Sequence, residues 1–96
     1  MLFEVRVQPE VDVDRFALRT LLNGQLMSYS GRVSSVVMRL EKPNAQGKVR
    51  CRIDVQATWW GKLSVDSTDP DAYQSVDRSL AQLKELLNAF VLDIPA

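Results

Sequence analysis

The clearest indication of the fold comes from residues 49–87, VRCRIDVQATWWGKLSVDSTDPDAYQSVDRSLAQLKELL. Apolar and polar residues alternate from Val49 to Ala57 and again from Lys62 to Asp66, which predicts two half-buried strands joined as a hairpin. After Asp69 the apolar spacing changes to about 3.6 residues, which predicts an amphipathic helix. Its apolar positions are Tyr73, Val76, Leu80, Leu83 and Leu87.

The start of this helix carries carboxylates around a proline. Asp69 is the predicted cap, Pro70 suits the first helical position, and Asp71 complements the helix dipole. The alternative is a site for a hard cation formed with Asp66, but the calcium-loop spacing is interrupted by Pro70 and Tyr73. Capping is the preferred interpretation, and no metal is expected.

The N-terminal half supplies a strand, a helix and a second strand. Residues 2–8 alternate up to Pro9, and either Asp12 or Asp14 can cap the helix that follows. A glycine, Gly31, is the predicted end of that helix, and residues 33–42 alternate again as a strand. The apolar stripe of the helix consists of Leu18, Leu21, Leu22, Gln25, Leu26 and Tyr29.

The resulting order is β-α-β-β-β-α, so the predicted class is α+β. We expect a four-stranded sheet with two helices packed on one face, and a single domain over residues 1–96.

Composition argues against several classes of function. The chain has 96 residues, with twelve basic and twelve acidic side chains, no histidine and one cysteine. Without histidine it lacks the commonest general base and metal ligand, so we expect neither an enzyme nor a cofactor. Cys51, on the inward phase of its strand, is predicted to be buried among Val49, Ile53 and Val55. Because no secretory signal or membrane-length apolar run is present, the expectation is a cytoplasmic protein without a membrane partner. Zero net charge counts against a nucleic-acid binder unless the charges segregate by face, and no DNA partner is expected.

The open face of the predicted sheet carries mixed charge. Arg50, Arg52 and Lys62 form a basic spot on this face, to which the neighbouring strands can add Arg6 and Arg39. Two interpretations stay open: a phosphate-binding patch, or a solvated face whose charges form cross-strand ion pairs. At the hairpin tip, one of Trp59 and Trp60 can point inward while the other is exposed as a contact residue.

With this order of elements, the run Leu63-x-Val65 … Asp71-Ala72-Tyr73-Gln74-Ser75-Val76-Asp77 … Leu87 resembles the hibernation-promoting factor / ribosome-associated inhibitor A family. Members of that family typically read glycine-x-leucine, then aspartate-x-tyrosine-alanine-alanine-isoleucine-aspartate, then a leucine series. The resemblance implies a non-enzymatic stress-response protein that occupies the small ribosomal subunit, contacts rRNA and inhibits translation. The residues expected to bind RNA are Arg15, Arg19, Arg78 and Lys84 on the helix side, with Arg50, Arg52 and Lys62 on the sheet.

The C-terminal segment departs from the family, whose second helix is basic and ends in a Lys/Arg-rich tail. Here that helix carries Gln82 and Glu85, and no basic residue follows Lys84. The alternative function is therefore a protein-interaction or assembly module that has lost RNA binding, with a twofold homodimer as the expected assembly. A competing interpretation is that Phe90 alone covers the core while the last residues fray. The expected interface residues are Trp60, Phe90, Val91, Leu92 and Ile94.

Overall fold

The computed structural model describes the backbone of residues 2–58 and 61–93, and the side chains of residues 2–58 and 61–89. A short 3₁₀ turn, Met27–Tyr29, follows the first helix. The remaining elements are strand β1 (Leu2–Val7), helix α1 (Arg15–Leu26), strands β2 (Val33–Glu41), β3 (Val49–Ala57) and β4 (Gly61–Asp69), and helix α2 (Ala72–Asp93).

The strands form one sheet in the order β1-β2-β3-β4. β1 is parallel to β2, because α1 carries the chain back across the sheet between them, whereas the short connections after β2 and β3 give antiparallel pairs. This arrangement confirms the predicted α+β class and the predicted order of elements. The described helices include none that is both long and apolar enough to cross a membrane.

The core lies between the sheet and the two helices, with α1 against β1 and α2 against β3 and β4. Cys51 and Ile53 are fully buried and Val49 and Val55 nearly so, which confirms the predicted phase of β3. Ser79 on α2 donates a hydrogen bond to the Cys51 carbonyl, with an O–O distance of 3.1 Å. Burial raises the pKa of the Cys51 thiol to about 11, despite an opposing hydrogen bond with Ser79.

The start of α2 differs from the prediction. The helix begins at Ala72, two residues later than expected, and the Asp71 carboxylate accepts a hydrogen bond from the Tyr73 N–H at 2.9 Å. Asp71 is therefore the cap, while Asp69 ends β4 and accepts from the Asp71 N–H. Tyr73 was expected in the apolar stripe, but its side chain is 44% exposed. The buried positions near it are Ser75 and Val76 instead.

The ends of the helices also correct the sequence-based expectation. Asp14 caps α1 by accepting hydrogen bonds from Phe16 and Ala17, which decides between the two candidates. Gly31 does not take the left-handed conformation expected of a glycine stop, because α1 ends in the 3₁₀ turn. Residues 90–93, expected to follow α2, continue it as helix.

Candidate nucleic-acid interface

The open face of the sheet, opposite the helices, carries three arginines in one row. Arg6 of β1 is in register with Arg39 of β2, and Arg39 is in register with Arg52 of β3. Asp66 of β4 stands opposite Arg52 and completes the row. Like charges directly opposed on neighbouring strands destabilise a sheet, so this row needs carboxylates nearby.

Asp54 lies between two of these arginines. Its carboxylate is 3.1 Å from the Arg52 guanidinium and 3.7 Å from that of Arg39, and it also accepts a hydrogen bond from the Ser64 hydroxyl. Partial burial opposes ionisation of Asp54, but the Ser64 hydrogen bond and the two arginines outweigh it and lower its pKa. Asp54 is thus the charged centre of the open face.

Two further ion pairs lie on either side of this centre. The Arg50 guanidinium is 2.6 Å from the Asp66 carboxylate, and the Arg6 guanidinium is 2.8 Å from that of Glu4. The hydrogen bond from Arg6 lowers the pKa of Glu4, and the hydrogen bond to Asp66 raises the pKa of Arg50. Most of the positive charge on this face is therefore matched by carboxylates.

Lys62 is the exception on this face. It is exposed and makes no ion pair among the described residues. With Arg39 and Arg52 it lines a shallow cavity of about 390 Å³ around Val37. Of the predicted basic spot, Arg52 and Lys62 line this cavity, whereas Arg50 lies near the other end of the β3–β4 pair, and both arginines are paired with carboxylates.

The helix-side arginines of α1 lie beside the outer edge of β1. Arg15 donates a hydrogen bond to the Val5 carbonyl at 3.0 Å, so its guanidinium covers part of that edge. Arg19, one turn further along, is exposed and forms no ion pair within the described residues. It lines a groove of about 290 Å³ with Phe3 and Phe16.

The two basic residues of α2 are held by neighbouring elements. Arg78 is 3.4 Å from the Asp69 carboxylate at the end of β4, although its side chain remains 63% exposed. Lys84 donates a hydrogen bond to Gln25 of α1 at 2.9 Å. The four helix-side candidates therefore divide into Arg15 and Arg19 near β1, Arg78 near β4, and Lys84 at the α1–α2 contact.

A cavity of about 590 Å³ at the carboxyl ends of β1 and β2 was not anticipated. It is lined by Arg6, Arg39 and Lys42 among others, and it brings three cations to one end of the sheet. Arg6 and Arg39 could be placed on one face by their strand phase. Lys42 could not, because it follows the end of β2 and its position depends on a hydrogen bond from its N–H to the Gln8 side chain.

The predicted contact residues Trp60 and Ile94 lie outside the described residues, as do the side chains of Phe90, Val91 and Leu92. In the described part of the chain, no three side chains among histidine, cysteine, aspartate and glutamate are grouped to hold a metal ion. The described chemistry is that of charged surfaces, in which guanidinium and ammonium groups can bind phosphate.

Two solved structures resemble this chain over nearly its whole length. A ribosomal subunit interface protein from Coxiella burnetii superposes with a TM-score of 0.74 at 19% identity, covering 96% of this chain and 99% of that one. The Protein Y N-terminal domain from Thermus thermophilus superposes with a TM-score of 0.65 at 20% identity, covering 93% and 94%. No protein-family model and no curated protein matches the sequence. The chain therefore has the fold of this interface protein and of the Protein Y N-terminal domain.

Proposed function

We propose that this chain is a non-enzymatic, cytoplasmic factor that binds the small ribosomal subunit through rRNA and thereby inhibits translation. The observation that supports the proposal is the fold shared with a ribosomal subunit interface protein over 96% of the chain. The sequence resemblance to hibernation-promoting factors, which includes Tyr73 and Asp77 at the start of α2, points the same way. In this proposal residues 1–96 act as a single ribosome-associated-inhibitor-like domain.

The RNA contacts in this proposal come from both sides of the domain. Arg19 and Lys62 are exposed and make no ion pair in the described part of the chain, so they can approach a phosphate without giving up a carboxylate. Arg78 and Arg50 would have to exchange a carboxylate partner for phosphate, whereas Lys84 would have to release an amide. Because such exchange lowers the net gain, we expect moderate affinity that depends strongly on salt.

The test is co-sedimentation of purified protein with small ribosomal subunits over a salt series from about 50 to 200 mM. Binding is expected at the low end and should fall steeply as salt increases. The variant Arg78→Ala/Lys84→Ala should bind more weakly and show a shallower salt dependence, with the slope lower by about one for each phosphate that the variant no longer neutralises.

The matched control is Arg32→Ala/Lys48→Ala, which removes the same charge from exposed positions outside the candidate RNA-binding residues. It should reduce binding less than the α2 variant does. If the unmodified protein fails to sediment with the subunit at the lowest salt, the ribosome-binding proposal is wrong. Equal reductions for the two variants would show a non-specific charge effect and remove the assigned residues.

The second candidate is a protein-interaction module that shares this fold without binding RNA. It is favoured by the number of basic residues already held by partners. Those are Arg50, Arg52 and Arg78, held by carboxylates, Arg15, held by a backbone carbonyl, and Lys84, held by an amide. Here the proposed contact surface is the C-terminal apolar segment with Trp60, in a twofold homodimer.

Light scattering tests this second candidate. Under it, the full chain is a dimer that becomes a monomer when Val91 and Leu92 are replaced by glutamate. These substitutions keep the length of α2, which extends to Asp93. A native chain that is monomeric, and that sediments with ribosomes, would exclude the module.

A further inference from the structure

Both edges of the sheet are open in the described chain, since β1 and β4 each pair with one strand only. A groove runs beside each edge, between the edge strand and the helix that packs on that strand. The β1 groove, about 290 Å³, is lined by Phe3, Phe16, Arg19, Thr20 and Asn23. The β4 groove, about 470 Å³, is lined by Ser64, Val65, Asp66, Gln82, Glu85 and Leu86.

The two grooves are chemically complementary. The β1 groove presents the Phe16 ring, which is 79% exposed, together with the cation of Arg19. The β4 groove presents Leu86, 37% exposed, together with the carboxylate of Glu85. Neither Arg19 nor Glu85 forms an ion pair within the described residues. The β1 groove therefore offers an aromatic ring with a positive charge, and the β4 groove offers an aliphatic side chain with a negative charge.

The two grooves also lie at the same level along the strand direction of the sheet. Strand register puts Val5 of β1 in line with Met38, then Ile53, then Val65 of β4. Phe3 is likewise in line with Leu63 through β2 and β3. β1 and β4 run in the same direction, because one parallel and two antiparallel pairs separate them. A second copy, shifted without rotation at right angles to the strands, would thus place its β1 beside β4 of the first copy and parallel to it. The β1 groove of the second copy would then face the β4 groove of the first.

Twofold pairing of identical edges is disfavoured by charge. A twofold axis at the middle of β1 would bring Arg15, which donates a hydrogen bond to the Val5 carbonyl, close to Arg15 of the other copy. A twofold axis at the middle of β4 would bring Glu85, which lines the groove at Val65, close to Glu85 of the other copy. Like charges that face each other across a contact suppress association, so the β1-to-β4 pairing is the one that charge permits.

We propose that the edge of β4 receives β1 of a second copy of this chain, which extends the sheet from one molecule to the next. Arg19 of one copy pairs with Glu85 of the other, and Phe16 packs against Leu86. The contact is heterologous, so it leaves a free edge at each end and adds further copies. This surface is distinct from the C-terminal segment, but it shares Arg19 with the RNA contacts of the ribosome proposal.

Arg15 regulates this contact in the proposal. Its guanidinium occupies the Val5 carbonyl, a group that points to the free edge and would accept a hydrogen bond from the incoming strand. Association therefore requires Arg15 to release that carbonyl, which makes the contact weak in the native protein. Arg15→Ala removes the obstruction and is expected to strengthen association.

The experiment is sedimentation of purified protein alone, from micromolar concentration to about 1 mM. The native chain should show an average mass that rises continuously with concentration and passes the dimer. Arg19→Glu and Glu85→Lys should each weaken association about tenfold or more, since each puts like charges together. An equimolar mixture of the two variants should recover it, because both types of junction in an alternating series then pair opposite charges.

Circular dichroism verifies that both exposed-site variants are folded. A native chain that stays monomeric at the highest concentration overturns the proposal. The proposal is also wrong if association stops at a dimer or if it survives Glu85→Lys. The same holds if the mixture of the two variants does not recover association. None of these results depends on ribosome binding, so the two proposals can fail separately.

Discussion

The backbone N–H of Asp14 donates a hydrogen bond to the hydroxyl of Tyr73, with a distance of 3.0 Å. The contact joins the N-cap of α1 to the first turn of α2, through two residues that are 59 positions apart in the sequence. It explains why Tyr73 is only partly covered, since its ring reaches across the surface toward α1 instead of into the core. The aromatic residue of the Asp-x-Tyr motif thus has a structural role at the junction of the two helices.

Replacing Tyr73 by phenylalanine keeps the ring and removes the acceptor. The Asp14 N–H then has no partner on α2, and the free energy of unfolding is expected to fall by about 0.5–1.5 kcal/mol. Urea unfolding measures the change. Gln74→Ala, at an exposed position of the same turn, is the control and should change stability less. Equal effects would mean that the hydroxyl contributes nothing.

Glycine substitutions should have opposite effects at two positions. Gly24 lies inside α1 with open space where a Cβ would be, so Gly24→Ala should stabilise the protein by about 0.5–1 kcal/mol. Gly47 has a φ of 74° in the β2–β3 connection, and Gly47→Ala should destabilise it by about 1 kcal/mol. Thermal unfolding of the two variants, measured side by side, should give shifts of opposite sign.

The Cys51 thiol should make stability depend on alkaline pH. Its pKa is about 11 in the folded protein against an ordinary value of 9.0, so between these values the unfolded chain loses a proton that the native chain keeps. The stability that this group contributes is present below pH 9 and falls by about 1.4 kcal/mol per pH unit up to pH 11. Urea unfolding at several pH values should show the decline.

Cys51→Ala is the comparison for this measurement, because it lacks the thiol and keeps every other side chain. The decline with pH should appear in the difference between the free energies of unfolding of the two proteins. A native thiol that reacts with an alkylating reagent as fast as it does in denaturant would contradict the burial of Cys51.

Asp54 should contribute to stability only while it is ionised. Its lowered pKa means that this contribution is present above the ordinary carboxyl pKa of 3.8 and is lost as pH falls through the lower folded value. Asp54→Asn should therefore cost about 0.5–1 kcal/mol at pH 7, because Arg39 and Arg52 then face each other unscreened. The cost should shrink below pH 3.8. Asp12→Asn, at an exposed site, is the control and should change stability less at pH 7.

The sheet and its inward face were predictable from sequence because one residue in two must be apolar where a sheet packs on helices. The stripe of α2 was predictable from Val76 onward for the same kind of reason. The first turn of that helix was not, since Asp69, Asp71 and Tyr73 all satisfy local rules. Which of them caps the helix depends on how far β4 extends along β3, a property of the folded sheet.

The candidate site shows the same limit. Strand phase puts Arg50 and Arg52 on the open face, but their charge partners depend on register. Asp66 lies opposite Arg52 and yet pairs with Arg50, one diagonal step away. Local alternation carries no information about such neighbours. A basic spot inferred from sequence can therefore prove to be a largely neutralised network in the structure.

The parallel position of β1 determines the order in which the fold can be completed. Strands β2, β3 and β4 are consecutive hairpins and can pair as soon as each is available. β1 comes first along the chain, but its only partner is β2, which lies beyond the whole of α1. During synthesis β1 must wait for more than thirty residues of chain, and contacts of that range form slowly. For that interval the apolar face of β1, formed by Phe3, Val5 and Val7, is without its sheet and is open to non-native contacts.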